Sequence, residues 1–137
     1  MTKNALGPPK GEAWIWTTRE LGRSDASRSL GINARRFVDF LKNEHMGHGG
    51  RDNGKLKATY LQLEAWGIGA RYISTAIAEA ERVGLVDCRR GGMRVATTYS
   101  LTWLPLHDGS PPTNRWRTYR NPKLQRLQKS SKLRYSP

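Results

Sequence analysis

Cysteine is almost absent from this chain. Cys88 is the only one among 137 residues, which excludes an intramolecular disulfide framework and points to a reducing, intracellular setting. Acidic residues are scarce too. Eleven Asp and Glu face 24 Lys and Arg, for a formal net charge of +13. Long apolar runs are missing: nothing approaches the roughly 18 residues a spanning helix needs, so no membrane role is expected. The N-terminus has no basic flank followed by an apolar stretch, so no signal peptide is read there. A cytoplasmic location is the expectation.

What is present suits one small folded unit. Hydrophobic residues make up 36% of the chain, and five Trp, five Tyr and two Phe suffice for a core. The length is that of a single domain. The charge favours a polyanionic partner, although charge alone does not separate nucleic acid from anionic lipid or an acidic protein.

The charge is unevenly spread. Residues 104–137 carry Arg115, Arg117, Arg120, Lys123, Arg126, Lys129, Lys132 and Arg134 against Asp108 alone. That stretch holds +7 of the total and leaves +6 on residues 1–103. It is rich in Pro, Ser and Asn and poor in aliphatics, which predicts an extended or partly helical arm. A short basic helix over 122–134 is within reach of its Leu spacing. The expected organisation is a flexible leader over 1–12, a compact domain over 13–105, and a basic arm over 106–137. The arm's Arg115, Arg117 and Arg120 are expected to contact a phosphate backbone.

Local patterns divide the domain further. Trp14-Ile15-Trp16-Thr17 predicts a short strand or an extended anchor. Ser24 or Asp25 can cap a short helix over 24–30 that Gly31 would end. Asn33 reads as the cap of a helix running to about Met46, with Ile32 and Phe37 as a hydrophobic staple. Ala34, Phe37, Val38 and Leu41 line its apolar face, widened by Phe40. Asn53-Gly54 marks a turn. Leu56 to Ala58 predicts a short strand, and Thr59 with Gln62 makes a capping box for a helix over 60–66. After the Gly67-Ile68-Gly69 break, Ile73, Ala76, Ile77 and Ala80 stripe a third helix over 70–82, which Gly84 stops. Leu85 to Arg90 and Thr98 to Trp103 then predict a hairpin turning near Gly91-Gly92.

This order is that of an α+β winged helix-turn-helix: a three-helix core, a two-stranded β-hairpin wing, and here a basic C-terminal arm. In such an arrangement one helix enters the DNA major groove and the wing lies along the backbone. The candidate reading residues are Arg71, Tyr72, Ser74 and Thr75. Arg71 can pair with a guanine edge, and the others reach phosphate, base or a thymine methyl. Arg89, Arg90 and Arg94 flank the hairpin turn, where three cations need a counter-charge. Phosphate would supply it, as would Glu79, Glu81 or Asp87. Thr59 can donate to phosphate, though its cap role alone explains it.

Catalytic patterns are thin. Glu44, His45 and His48 loosely suggest a metal pair, but two imidazoles three apart with no cysteine nearby fit a helix C-terminus better. No nucleophilic triad or phosphate-binding loop is readable. No enzyme activity, metal, cofactor or small-molecule ligand is expected. Cys88, alternating with Val86, is expected to face the core.

The stretch Asn53-Gly54-Lys55-Leu56, Thr59-Tyr60, Leu63, Gly67-Ile68, Arg71-Tyr72-Ile73-Ser74, Ala76-Ile77, Glu79-Ala80-Glu81, Gly84-Leu85-Val86 resembles winged-helix DNA-binding domains of bacterial, phage and plasmid regulators and replication proteins. More narrowly, Asn33-Ala34-Arg35-Arg36, Glu44-His45-Met46, Gly49 to Gly54, Leu101 to Pro105, and Asp108 to Asn114 with Trp116 resemble small proteins of alphaproteobacteria and their mobile elements. The resemblance spans Trp14 to about Trp116. It implies that Ile73 to Glu79 belongs to a recognition helix and that Gly84-Leu85-Val86 opens the wing. Sequence-specific double-stranded DNA binding by a homodimer is the leading expectation, most simply as a transcription regulator. A replication-initiation or partition accessory role, and an RNA- or protein-binding module, stay open beside it.

Overall fold

Residues 6–135 are described by a computed structural model, and they form an α+β arrangement of six α-helices and one two-stranded antiparallel hairpin. The chain enters as an extended segment. Ile15 packs on the core, and the Trp103 indole donates to the Trp16 carbonyl at 2.9 Å. Trp14–Thr17 is therefore the anchor rather than a strand. Two five-residue helices follow, α1 (Arg19–Arg23) and α2 (Asp25–Ser29). Thr18 and Ser24 cap them with side-chain oxygens accepting from Leu21 and Ser27 N–H groups. The α2 cap is the one expected; α1 has no periodic apolar stripe, and nothing in its sequence announces it.

The core helix α3 (Ile32–Gly47) buries Ala34, Phe37, Val38, Phe40 and Leu41, as the stripe predicts. Its start differs from the sequence reading. Gly31, not Asn33, is the cap residue, and its N–H is taken by the Glu79 carboxylate 48 residues on. The helix start has no side-chain cap, and the tertiary carboxylate satisfies the cap residue's own N–H instead. Ile32 is 62% exposed, so no staple forms with Phe37.

The turn at Asn53-Gly54 is present, with Gly54 at φ +102°. Asn53 does more than turn the chain. Its side chain is buried and spans to residues 101–105: Nδ2 faces the carbonyls of Leu101, Leu104 and Pro105 at 3.0–3.2 Å, and Oδ1 accepts from Leu101 N–H at 2.7 Å. The expected strand over 56–58 contracts to a single antiparallel bridge, Leu56 to Tyr99. Then α4 (Tyr60–Ala65) starts from the Thr59–Gln62 capping box, both halves formed.

A 3-10 turn, Ala70–Tyr72, leads into α5 (Ile73–Arg82), so the α-helix proper begins three residues later than expected. Ile73, Ala76 and Ala80 bury one face of α5. Of all element pairs, α3 and α5 share the broadest contact. Arg36 of α3 donates to the Gly67 carbonyl at 2.9 Å, tying the α4–α5 connection to the core helix.

The hairpin pairs β1 (Val86–Arg89) with β2 (Thr98–Leu101) in the register Val86–Leu101 through Arg89–Thr98. The compact unit does not end near 105. Trp116, in a short 3-10 turn over Arg115–Thr118, is 3% exposed and joins the core cluster. The Asn114 N–H donates to Thr102 O, and the Asn121 N–H to an Asp25 carboxylate oxygen at 2.8 Å. The last helix, α6 (Pro122–Tyr135), begins beyond this packed return. The expected boundary at 105 is thus displaced to about 121. One buried indole overrides the polar composition around it. Among the described residues no helix is long and apolar enough to cross a membrane.

Candidate nucleic-acid interface

The face of α5 opposite its buried stripe is built from small and polar residues. Ser74, Thr75 and Ala78 are exposed there, because Ile73, Ala76 and Ala80 fix the helix rotation against α3. Between this face and the hairpin runs a groove of about 300 Å³. Ser74, Ala78, Tyr60, Thr97 and Arg90 form its polar and small walls, with Ile77, Cys88 and Tyr99 beneath. Burial pushes the Cys88 thiol up to about 12, with the Glu81 charge adding to it. Burial likewise pushes the Tyr99 phenol to about 12. Both stay neutral at physiological pH. Among the described residues, Arg90 is then the one formal positive charge along the groove lining.

The three hairpin arginines do not behave alike. Arg90 pairs with Glu81 at 3.3 Å, as one of the sequence alternatives allows. Arg89 and Arg94 are exposed and take part in no ion pair or side-chain hydrogen bond among the described residues. Arg94 sits in the left-handed region at φ +63°, where an ordinary residue carries a conformational penalty. Asp87, a third candidate counter-charge, is engaged elsewhere, by Arg115.

Arg71 and Tyr72 lie in the 3-10 turn before α5. The Tyr72 ring folds back over Gly69, where an added Cβ would meet it at 3.2 Å. The Arg71 guanidinium lies 5.5 Å from that ring's centre. The Tyr72 ring therefore lies over its own turn and offers Arg71 a flat surface. Glu79, another candidate counter-charge, turns instead to the start of α3. Thr59 uses its hydroxyl oxygen as the α4 cap.

The three arginines expected on a free arm are fixed within the packed return. Arg115 pairs with Asp87 and donates to the carbonyls of Val86 and Glu81 at 3.1 and 3.3 Å. It fastens the return to the outer side of β1. Arg117 pairs with Glu20 at 3.2 Å and lies 5.1 Å from the Trp116 ring. Arg120 donates to the carbonyls of Arg117 and Tyr119. The structure thus joins Ser74 and Arg90 in one groove, with Arg71 in the 3-10 turn that precedes the same helix. It sets Arg115, Arg117 and Arg120 in a separate location. Tyr60 and Thr97 carry no signal of this role in the sequence; only the folded hairpin brings them beside α5.

The histidines separate. His45 is 7% exposed, and burial holds its pKa below the ordinary value. His48 is exposed beside Glu44 and Asp52, at 3.4 and 3.5 Å. Among the described residues no group of three or more His, Cys, Asp or Glu is placed to hold a metal ion. Comparison with family models, with curated proteins and with solved structures finds no match.

Proposed function

We propose that this chain is a winged helix-turn-helix that binds double-stranded DNA sequence-specifically, without catalysis of its own, and acts in transcription regulation. The observation that carries the reading is the shared groove. The small, polar face of α5 and a basic hairpin flank one neutral-floored channel, and Arg71 stands in the 3-10 turn that leads into α5. A helix reads base edges best when its exposed side chains are short enough for close approach and one long donor makes the specific contact. Ser74, Thr75 and Ala78 meet the first condition and Arg71 the second. Arg89 and Arg94, without carboxylate partners among the described residues, are suited to phosphates beside the groove. A homodimer on a two-fold site would supply the extra contacts that one reading helix lacks.

Selection of bound duplexes from a random library, followed by affinity measurement on selected and unrelated duplexes, tests this. Arg71→Ala should weaken the selected sequence by about 1–3 kcal/mol and leave unrelated duplexes nearly unchanged. Arg94→Ala should weaken both alike and lower the salt slope by about 1. No enriched sequence, or equal losses on both duplexes for Arg71→Ala, would refute the reading.

A further inference from the structure

A second basic site lies away from the α5 groove. Arg19 and Arg23 of α1 meet Arg117 and Arg120 of the C-terminal return, almost a hundred positions later in the chain, around an open cleft of about 670 Å³. Buried Trp116 forms one wall, and its indole N–H is spent on the Asn114 side chain at 3.1 Å. Arg117 lies against that indole, which holds its guanidinium at the cleft wall.

The cleft also contains two carboxylates, and both are committed. Glu20 pairs with Arg117. Asp25 accepts from the Asn121 N–H at 2.8 Å, and from Gln125 and Arg28 at 3.4 Å. Arg120 donates to two main-chain carbonyls, which orient it without cancelling its charge. Arg19 and Arg23 have no carboxylate within 4.0 Å among the described residues. Four arginines and two carboxylates therefore line one cleft, an excess of positive charge that a bound anion would offset. Arginine forks match phosphate oxygens bidentately, and the cleft is wide and open enough to admit a chain-linked phosphate.

We propose that this cleft is a phosphate-binding site for the backbone of a bound nucleic acid, separate from the groove between α5 and the hairpin. It rests on the DNA-binding reading for the source of the phosphate, but not for the anion chemistry. Such a contact adds affinity irrespective of sequence.

The double variant Arg19→Gln/Arg23→Gln tests it. Both side chains are exposed and make no ion pair or hydrogen bond among the described residues, so the fold should be retained, as circular dichroism can verify. Fluorescence anisotropy on a duplex of unrelated sequence, over a range of salt concentrations, should show weaker binding and a salt slope smaller by about 1–2. In parallel, sodium pyrophosphate alone should shift the Trp116 indole NMR resonance in the native protein and not in the double variant. An unchanged salt slope together with an unmoved Trp116 resonance overturns the proposal. A shifted resonance with an unchanged slope overturns the nucleic-acid source and leaves a free-phosphate site. If the native protein binds no duplex at all, the DNA-binding reading falls, while the pyrophosphate titration still decides the anion site.

Discussion

Replacing Gly84 with Ala should destabilise the protein by about 3 kcal/mol or more, by two additive routes. Gly84 sits at φ +87°, where a Cβ costs about 1–2 kcal/mol. Its Cβ would also lie 2.8 Å from the carbonyl carbon of Arg115 and 2.9 Å from the Trp116 nitrogen. That neighbour is backbone and cannot rotate aside, so the return must lift. Undocking Trp116 removes a buried indole, a change of the size that truncating a core Trp costs, about 3–5 kcal/mol. Gly109→Ala is the matched control, because Gly109 has φ +86° and nothing within 4 Å of an added Cβ. Urea denaturation of the two variants separates strain from steric exclusion. Limited proteolysis should show cleavage after 105 in Gly84→Ala only. Equal stability losses in both variants would mean that the return does not depend on this close approach.

Asn53→Asp should be as damaging through electrostatics at almost constant shape. The Asn53 amide N–H groups face three carbonyls, which a carboxylate would repel. The charge would be buried without a cationic partner, a defect of about 3–5 kcal/mol. The sign of its pH dependence follows. The introduced carboxyl would have a folded pKa raised above its unfolded value, because burial and the carbonyls both disfavour the anion. Its neutral form is favoured in the folded state. The deficit should therefore be smallest below the unfolded pKa, near about 4, and grow as pH rises toward the folded one. Urea titrations at acid and neutral pH read this directly. A loss below about 1 kcal/mol, or one insensitive to pH, would remove Asn53 from its clamp role.

These two residues also mark how far the sequence can be read. Period and cap signals are local, and the elements they specify appear: the α3 stripe, the Thr59–Gln62 box, the α5 stripe and the hairpin. Asn53-Gly54 announces a turn for the same reason. The partners of the Asn53 amide, about fifty residues away, leave no local trace. Gly31 stands where Asn33 is expected as the α3 cap, and its N–H partner, Glu79, comes from another helix. Trp116 lies in a stretch whose composition says arm, since composition averages over the one residue that packs. The candidate site follows the same rule. Arg71, Ser74 and the hairpin arginines can be named from helix phase and turn position. The walls Tyr60 and Thr97, the Arg90–Glu81 pair and the cleft shared by α1 and the return depend on tertiary approach.

The redistribution of charge matters for function. With the packed return counted as domain, residues 1–121 carry +8 and residues 122–137 carry +5. Under the proposed function, the arginines of the packed return would help set the register of a duplex as well as attract it.

The most direct test of the central claim is amide chemical-shift mapping of the full chain titrated with a duplex recovered by selection. The largest perturbations should fall in two stretches, the α4–α5 connection through the exposed face of α5 (residues 69–78) and the hairpin and its tip (residues 89–97). Saturable perturbations that leave both stretches unmoved would contradict it.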